Sequence, residues 1–274
     1  GPFQVRNQFP LLLPLAPPYL EPAELRNRFI VALNYSSVYV TETTPAWVVN
    51  MDLELAELDL RFKIRTGLST ELGLDLPVIR MSEGFLDRPL AQLHESLGTG
   101  DYGRKERPYN AFLYQVDYQG QPVINPVNHR SGIGDVRLSI KQRLREASPA
   151  VSILADVELP TGDAKTGYGN GSYDFGMALL VDFDLGDRFR GTANLGAVLP
   201  GDLKGYQTVP LRNFGYAGLG IEAAFWDRFH AVMQVMVQSS PYPNTGIRQV
   251  DWPRILLSFG GRYYFDRGAI EFSL

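Results

Sequence analysis

Over residues 150–159 the chain alternates apolar and polar side chains with a period of two. Val151, Ile153, Ala155, Val157 and Leu159 share one parity, and Ser152, Leu154, Asp156 and Glu158 share the other. A β-strand sends successive side chains to opposite faces, so such a run separates an apolar environment from a wet one. Eight segments carry this pattern, and the connections between strands alternate between short turns and mostly long loops. A sheet with tight turns at one rim and long loops at the other is the arrangement of a transmembrane antiparallel β-barrel of the bacterial outer-membrane type. The expected fold is therefore all-β.

Strands are expected at 28–40, 46–65, 70–81, 111–118, 122–126, 132–144, 150–160, 173–184, 188–199, 213–225, 228–238, 254–265 and 269–274. Connections 66–69, 119–121, 145–149, 186–187, 226–227 and 266–268 are tight, which places them on the periplasmic side. Connections 82–110, 127–131, 161–172, 200–212 and 239–253 belong outside, with the short 41–45 in the same series. Thirteen strands would leave the last one running outward, whereas single-chain barrels have even strand numbers. Fourteen strands is the first expectation, with residues 27–274 as a barrel lacking its closing strand. Twelve is the second, if the hairpin at 111–126 does not belong to the wall.

One parity reads as a lipid face: Phe175, Met177, Leu179, Val181 and Phe183, then Ala217 to Phe225, then Phe229 to Val237 in steps of two. Phe183, Phe225, Trp226, Tyr263, Tyr264 and Phe265 gather near the periplasmic rim, as in an aromatic girdle. In a soluble β-sandwich or lipocalin-like barrel the same apolar face would point inward; the turn-and-loop asymmetry favours the membrane. Met51, Leu53 and Leu55 differ in parity from Leu58, Leu60, Phe62 and Ile64, so a bulge near Ala56-Glu57 is expected to bring all seven to lipid.

The opposite faces carry the charge. Asp59, Arg61, Lys63 and Arg65 lie on the second strand, and Glu71 and Asp75 on the third. Arg137, Lys141 and Arg143 precede a hairpin partner bearing Asp156 and Glu158, with Arg137 expected opposite Asp156. Asp182 and Asp184 approach Arg188 and Arg190 across a turn, and Glu222, Arg228, His230 and Arg262 share the inward parity. A structural ladder of ion pairs is one reading and a charge-ringed pore the other. The balance of signs speaks against strong ion selectivity.

Residues 1–26 are Pro-rich and apolar. Phe9, Leu11, Leu12 and Leu13 are costly to leave in water, so this segment is expected to pack in the lumen or under the rim as a plug. Gly1 is expected at or near the mature start of an exported chain. Residues 82–98 read as one amphipathic helix in a loop, with Leu86, Leu90, Leu93 and Leu97 on one stripe, Ser82 as cap and Gly98 as stop. It is expected to cover the mouth or fold into the lumen, and His94 on its flank reads as structural.

Composition excludes several classes. A net charge of -4 offers no basic excess for nucleic acid, and the absence of cysteine removes disulfides, thiolate metal sites and a Cys nucleophile. No cofactor or metal is expected. His129 and Ser131 share a strand face as in lipid A deacylases, with Asp135 as the nearest carboxylate, but a nucleophile needs an adjacent base and an orienting acid. A lipid hydrolase is thus the remote alternative, and the chain reads as a non-enzyme.

The runs ELGLDLPV, EGFLDRPLAQLHESLG and GRKERP, with the opening RNQFPLLLP and the later GIGDVRLSIK, resemble one bacterial family of unknown function, number 3187 in the domain-of-unknown-function series. The resemblance implies an outer-membrane barrel of about fourteen strands and brings no ligand or catalytic residue. The Pro-rich start is also coarsely similar to the N-terminal hatch of fatty-acid-transporter-like barrels. The expected function is a channel or transporter for a small, apolar solute, in contact with outer-membrane lipid. The alternative is a plugged structural barrel anchoring a periplasmic or surface protein.

Overall fold

A computed structural model describes residues 1–15, 19–98, 107–125 and 131–274, with backbone alone at 93, 94 and 97. The chain forms β1 (Arg28–Thr43), β2 (Trp47–Thr66) and β3 (Thr70–Ser82), then helix α1 (Asp87–Leu97). Next come β4 (Leu113–Tyr118), β5 (Gln121–Ile124), β6 (Ser131–Ile133), β7 (Val136–Arg145), β8 (Ala150–Leu159), β9 (Asp174–Asp184) and β10 (Phe189–Leu199). A small hairpin, β11 (Leu203–Lys204) and β12 (Thr208–Val209), precedes β13 (Phe214–Ala224) and β14 (Phe229–Gln238). Helix α2 (Arg248–Asp251), β15 (Arg254–Tyr264) and β16 (Ala269–Ser273) complete it.

Fourteen strands form one antiparallel sheet; β11 and β12 pair apart from it. From β7 onward each stave pairs with its neighbour in sequence, and β1, β5 and β16 each pair on one side only. The sheet is strongly curled, because residues 1–26 bond to inward side chains of strands from β2 round to β15. No flat sheet could present those strands to one short segment.

Parity behaves as the pleat requires. Met177 is 61% exposed and Lys141 2%. Phe175, Leu179, Leu219, Met233, Leu257 and Phe259 face outward, while Ser152, Leu154, Asp156 and Glu158 are buried. Phe225, Trp226 and Phe229 cluster with tilted rings at the turn end, and Tyr263 meets Phe265 edge-on there. Tyr264 departs from the expected girdle. It shares the inward parity of Arg262 and donates to Glu222 at 2.8 Å.

The expected bulge in β2 does not form. Pairing with β1 runs unbroken from Val48 to Lys63, and pairing with β3 from Glu54 to Thr66. Met51, Leu53 and Leu55 therefore keep the inward parity of Glu57, Asp59 and Arg61, and all three are buried. The polarity inverts because the surroundings invert. Toward the loop end the interior is apolar, and the outer face carries Asp52 and Glu54.

Two loop elements differ from expectation for the same reason. The β4–β5 hairpin pairs Trp47↔Tyr118 at the loop end of β2, so its turn at Gln119-Gly120 lies at that end and not among the periplasmic-type turns. Helix α1 begins at Asp87, since Ser82 still belongs to β3. Leu86 donates its N–H to outward-facing Glu54, and Phe85 packs on outward-facing Tyr35 at 5.6 Å. The segment leading into α1 thus lies against the outer wall, neither over the mouth nor in the lumen. The stave expected at 132–144 breaks at Gly134-Asp135 into β6 and β7. A Cβ at Gly134 would press on Ile79 at 2.9 Å and Pro77 at 3.0 Å.

Candidate functional site

The interior is built around residues 1–15, which enter at the turn end and rise to the loop end, and residues 19–26, which run back toward the turn end. Arg262 Nη2 donates to the Pro2 carbonyl at 3.2 Å, and the Phe3 N–H donates to Gln234 Oε1 at 2.8 Å. Arg6 Nε reaches Glu57 Oε1 at 3.0 Å and Gln8 Nε2 reaches Glu57 Oε2 at 2.7 Å. The tip is a compact turn in which Leu12 and Leu13 donate to the Phe9 carbonyl. Tyr242 in the β14–β15 loop donates to the Leu11 carbonyl at 2.8 Å.

On the way back, Tyr19 donates to Asp59, and Arg61 lies 4.0 Å over the Tyr19 ring. The backbone of Glu21 exchanges two bonds with the side chain of Asn194, at 2.7 and 2.9 Å. Ser152 donates to the Ala23 carbonyl at 2.6 Å, and the Arg26 N–H to Glu71 at 2.8 Å. Close approach requires small wall residues: a Cβ at Gly218 would collide with Leu20.

The interior has two zones. At the loop end, Leu11, Leu12, Leu13 and Leu15 join Trp47, Val49, Met51, Leu53, Leu55 and Tyr114 in one buried cluster. Phe9 packs at its margin. Loop residues Tyr168, Leu203, Val209, Tyr242, Ile247 and Val250 belong to the same cluster, so the loops fold over the tip. Asp135 holds one of them by accepting from the N–H groups of Gly162 at 2.8 Å and Asn170 at 2.9 Å.

Toward the turn end the interior is charged. Glu21 binds Arg61 directly and has Lys63 at 3.7 Å and Lys141 at 3.6 Å. Asp75 meets Lys63 at 3.0 Å and Arg61 at 3.3 Å, and Glu71 meets Lys141 at 2.9 Å. Burial alone would raise the Glu21 carboxyl; Arg61, Lys63 and Lys141 outweigh it and hold Glu21 well below the usual carboxylate range. A second centre is Glu222, which accepts from Arg262 at 2.9 Å and Tyr264 at 2.8 Å and bonds His230 at 2.7 Å. Below lies a cavity of about 460 Å³ whose lining includes Arg28, Asp182, Arg190 and His230.

Arg61, Lys63, Arg137, Lys141, Asp156, Glu158, Asp182, Glu222 and Arg262 are thus buried inside. Arg65 and Arg190 sit exposed at the turn end, and Arg143 pairs at 2.8 Å with exposed Glu146. Arg137 faces Glu158, two residues from the expected Asp156, and reaches Asp156 only diagonally at 3.8 Å. Arg190 pairs with Asp184 at 3.4 Å, while Asp182 instead accepts from Thr192 at 2.9 Å and the Glu24 N–H at 3.1 Å. His129 and the His94 side chain lie outside the described residues; Ser131 is exposed at the start of β6. No cluster suited to a metal occurs among the described residues. Sequence reasoning missed Arg6, Tyr19 and Glu21. The available signal was their charge or hydroxyl inside an otherwise apolar stretch, which buried segments retain only with partners.

Fold and interior define a class: a curled antiparallel sheet of barrel type, apolar outside and charged inside, with its own N-terminal segment packed within. The chain belongs to the family described as Protein of unknown function (DUF3187), which matches residues 1–274. No curated protein matches it. Among solved structures, an outer membrane channel from Pseudomonas putida F1 aligns with a TM-score of 0.55 and 12% identity, over 94% of this chain and 91% of that one. The toluene transporter TodX of P. putida aligns at 0.43 with 10% identity, over 89% and 72%. The CymD monoaromatic hydrocarbon channel aligns at 0.40 with 13% identity, over 89% and 80%.

Proposed function

We propose that this protein is an outer-membrane β-barrel channel or transporter for a small, apolar solute, closed here by residues 1–26 acting as a lumen plug. The observation that carries the reading is the course of that segment through the sheet's interior, tied to β2, β3, β8, β10, β14 and β15. The outward apolar band supports a lipid-facing wall, and the likeness to an outer membrane channel supports the fold. The apolar zone around Met51, Leu53 and Leu55 supports an apolar solute entering from the loop end, because it would be removed from water there. In this reading Phe9, Leu11, Leu12 and Leu13 form the stopper, and Arg61, Lys63, Arg137, Lys141, Asp156, Glu158, Glu222 and Arg262 form the belt that grips its stem or lines the path once it moves.

Planar-bilayer recording tests this. The full chain is expected to be nearly silent, and a chain lacking residues 1–26 to give stable unit currents. Silence from the shortened chain refutes the channel. It would favour a second reading, a permanently closed barrel anchoring an envelope partner, which the density of buried ion pairs around Glu21 supports.

A further inference from the structure

The buried strand arginines of the lumen mostly meet carboxylates. Arg61 has Glu21 and Asp75, Arg137 has Asp75 and Asp156, and Arg262 has Glu222 and Glu271. Arg254, half-buried at the loop end of β15, has no ion pair among the described residues. Its Nε and Nη2 are buried and have no hydrogen-bond partner. These two atoms form the side edge of the guanidinium, the edge that takes both oxygens of a carboxylate in parallel bonds.

Directly across the strand pair stands Gln238, 2% exposed, whose amide nitrogen and oxygen both lack partners. Two neighbouring orphans on one inner face leave a charge, an amide donor and an amide acceptor unanswered, and polar groups left so are costly. The surroundings are apolar. Met236 and Leu256 share that inner face, Tyr216 lies opposite Gln238, and the Phe9 ring sits 4.5 Å from the Arg254 guanidinium carbon. Arg28 shows the same unpartnered edge, but it lines the turn-end cavity, whose lining also includes the carboxylates Glu24, Asp182 and Asp184.

We propose that Arg254 and Gln238 form a recognition site for a carboxylate on a small apolar body, and that Phe9 is the group this ligand displaces from the guanidinium. One unpaired cation beside a neutral amide matches a single negative charge, so the ligand is a monoanion. This inference rests on the channel reading and names its solute class. It also links entry to opening, since a carboxylate seated on Arg254 takes away the cation that holds the ring at the base of the stopper.

The experiment titrates full-length protein in detergent with benzoate, and with benzyl alcohol as the neutral counterpart, by calorimetry. Benzoate is expected to saturate one site at least ten-fold more tightly than benzyl alcohol. Arg254→Met should erase that preference, Arg254→Lys should restore part of it, and Phe9→Ala should tighten benzoate. Equal binding of the two probes, no saturation by benzoate, or an undiminished preference in Arg254→Met overturns the site. The comparison of probes needs no variant, so misfolding cannot hide the result. A silent barrel that prefers benzoate refutes the channel alone, and a conducting barrel indifferent to benzoate refutes the site alone.

Discussion

Within β2, the half from Trp47 to Leu55 and the half from Glu57 to Lys63 use the same parity for opposite chemistry. Toward the loop end the inward residues are Trp47, Val49, Met51, Leu53 and Leu55; toward the turn end they are Glu57, Asp59, Arg61 and Lys63, all buried. The outward face reverses in step, from Asp52 and Glu54 to Leu58, Leu60, Phe62 and Ile64. The pleat decides which side a residue faces, and the material on each side decides what it must be. The upper interior holds a leucine-rich tip, and the lower interior holds a stem that carries Glu21 and is ringed by cations. A polarity switch along one unbroken strand is therefore a record of what fills the barrel.

The comparison can be broken at either zone. The largest effect is expected in the charged one. Glu21→Gln leaves Arg61, Lys63 and Lys141 without a shared counter-charge, and removing one member of a buried ion pair costs about 3–5 kcal/mol. A lower urea midpoint for proteolysis of residues 1–26 would register it; an unchanged midpoint would remove Glu21 from the account. Next comes Leu55→Ala in the apolar zone, expected to cost about 2–5 kcal/mol as a cavity in a packed interior. Leu58→Ala, three residues away and facing outward, should cost much less in lipid vesicles. Equal losses would erase the inside–outside distinction.

Acid should act on the charged zone selectively. The Glu21 carboxyl lies below its unfolded value of about 4.3, so its contribution is complete above that pH and is lost as pH falls through the depressed folded value. Currents through the full chain are expected to rise well below pH 4 and to stay low from pH 5 to 8. The smallest change concerns the exposed rim: Arg143→Ala, which frees Glu146, should alter stability by at most about 0.5–1 kcal/mol.

Much of the wall was legible in the sequence because strand parity is local. Phe175, Met177 and Leu179 could be assigned outward from their spacing, and Lys141 and Glu158 inward. The inversion in β2 was not legible, because the environment of Met51 depends on Leu11–Leu15, which no local pattern connects to it. Register across β7–β8 differs by two residues from the expected one, because a turn located only to 145–149 does not fix which residues pair across it. The role of Glu21 required knowing that Arg61, Lys63 and Lys141 converge from β2 and β7. Tyr264 shares the parity of Arg262, a local signal for the inward face, whereas its aromatic neighbours Tyr263 and Phe265 point to the girdle.

The chain has no cysteine, so introduced pairs report without interference. The most direct measurement joins Leu20→Cys to Gly218→Cys, positions in contact where the stem passes β13. A disulfide is expected to form in the assembled protein and to hold the barrel silent at the acid pH at which the unlinked chain conducts, and reduction is expected to release the current. Failure of the two cysteines to join, or current at that acid pH with the bond intact, would contradict the claim that residues 1–26 close the lumen.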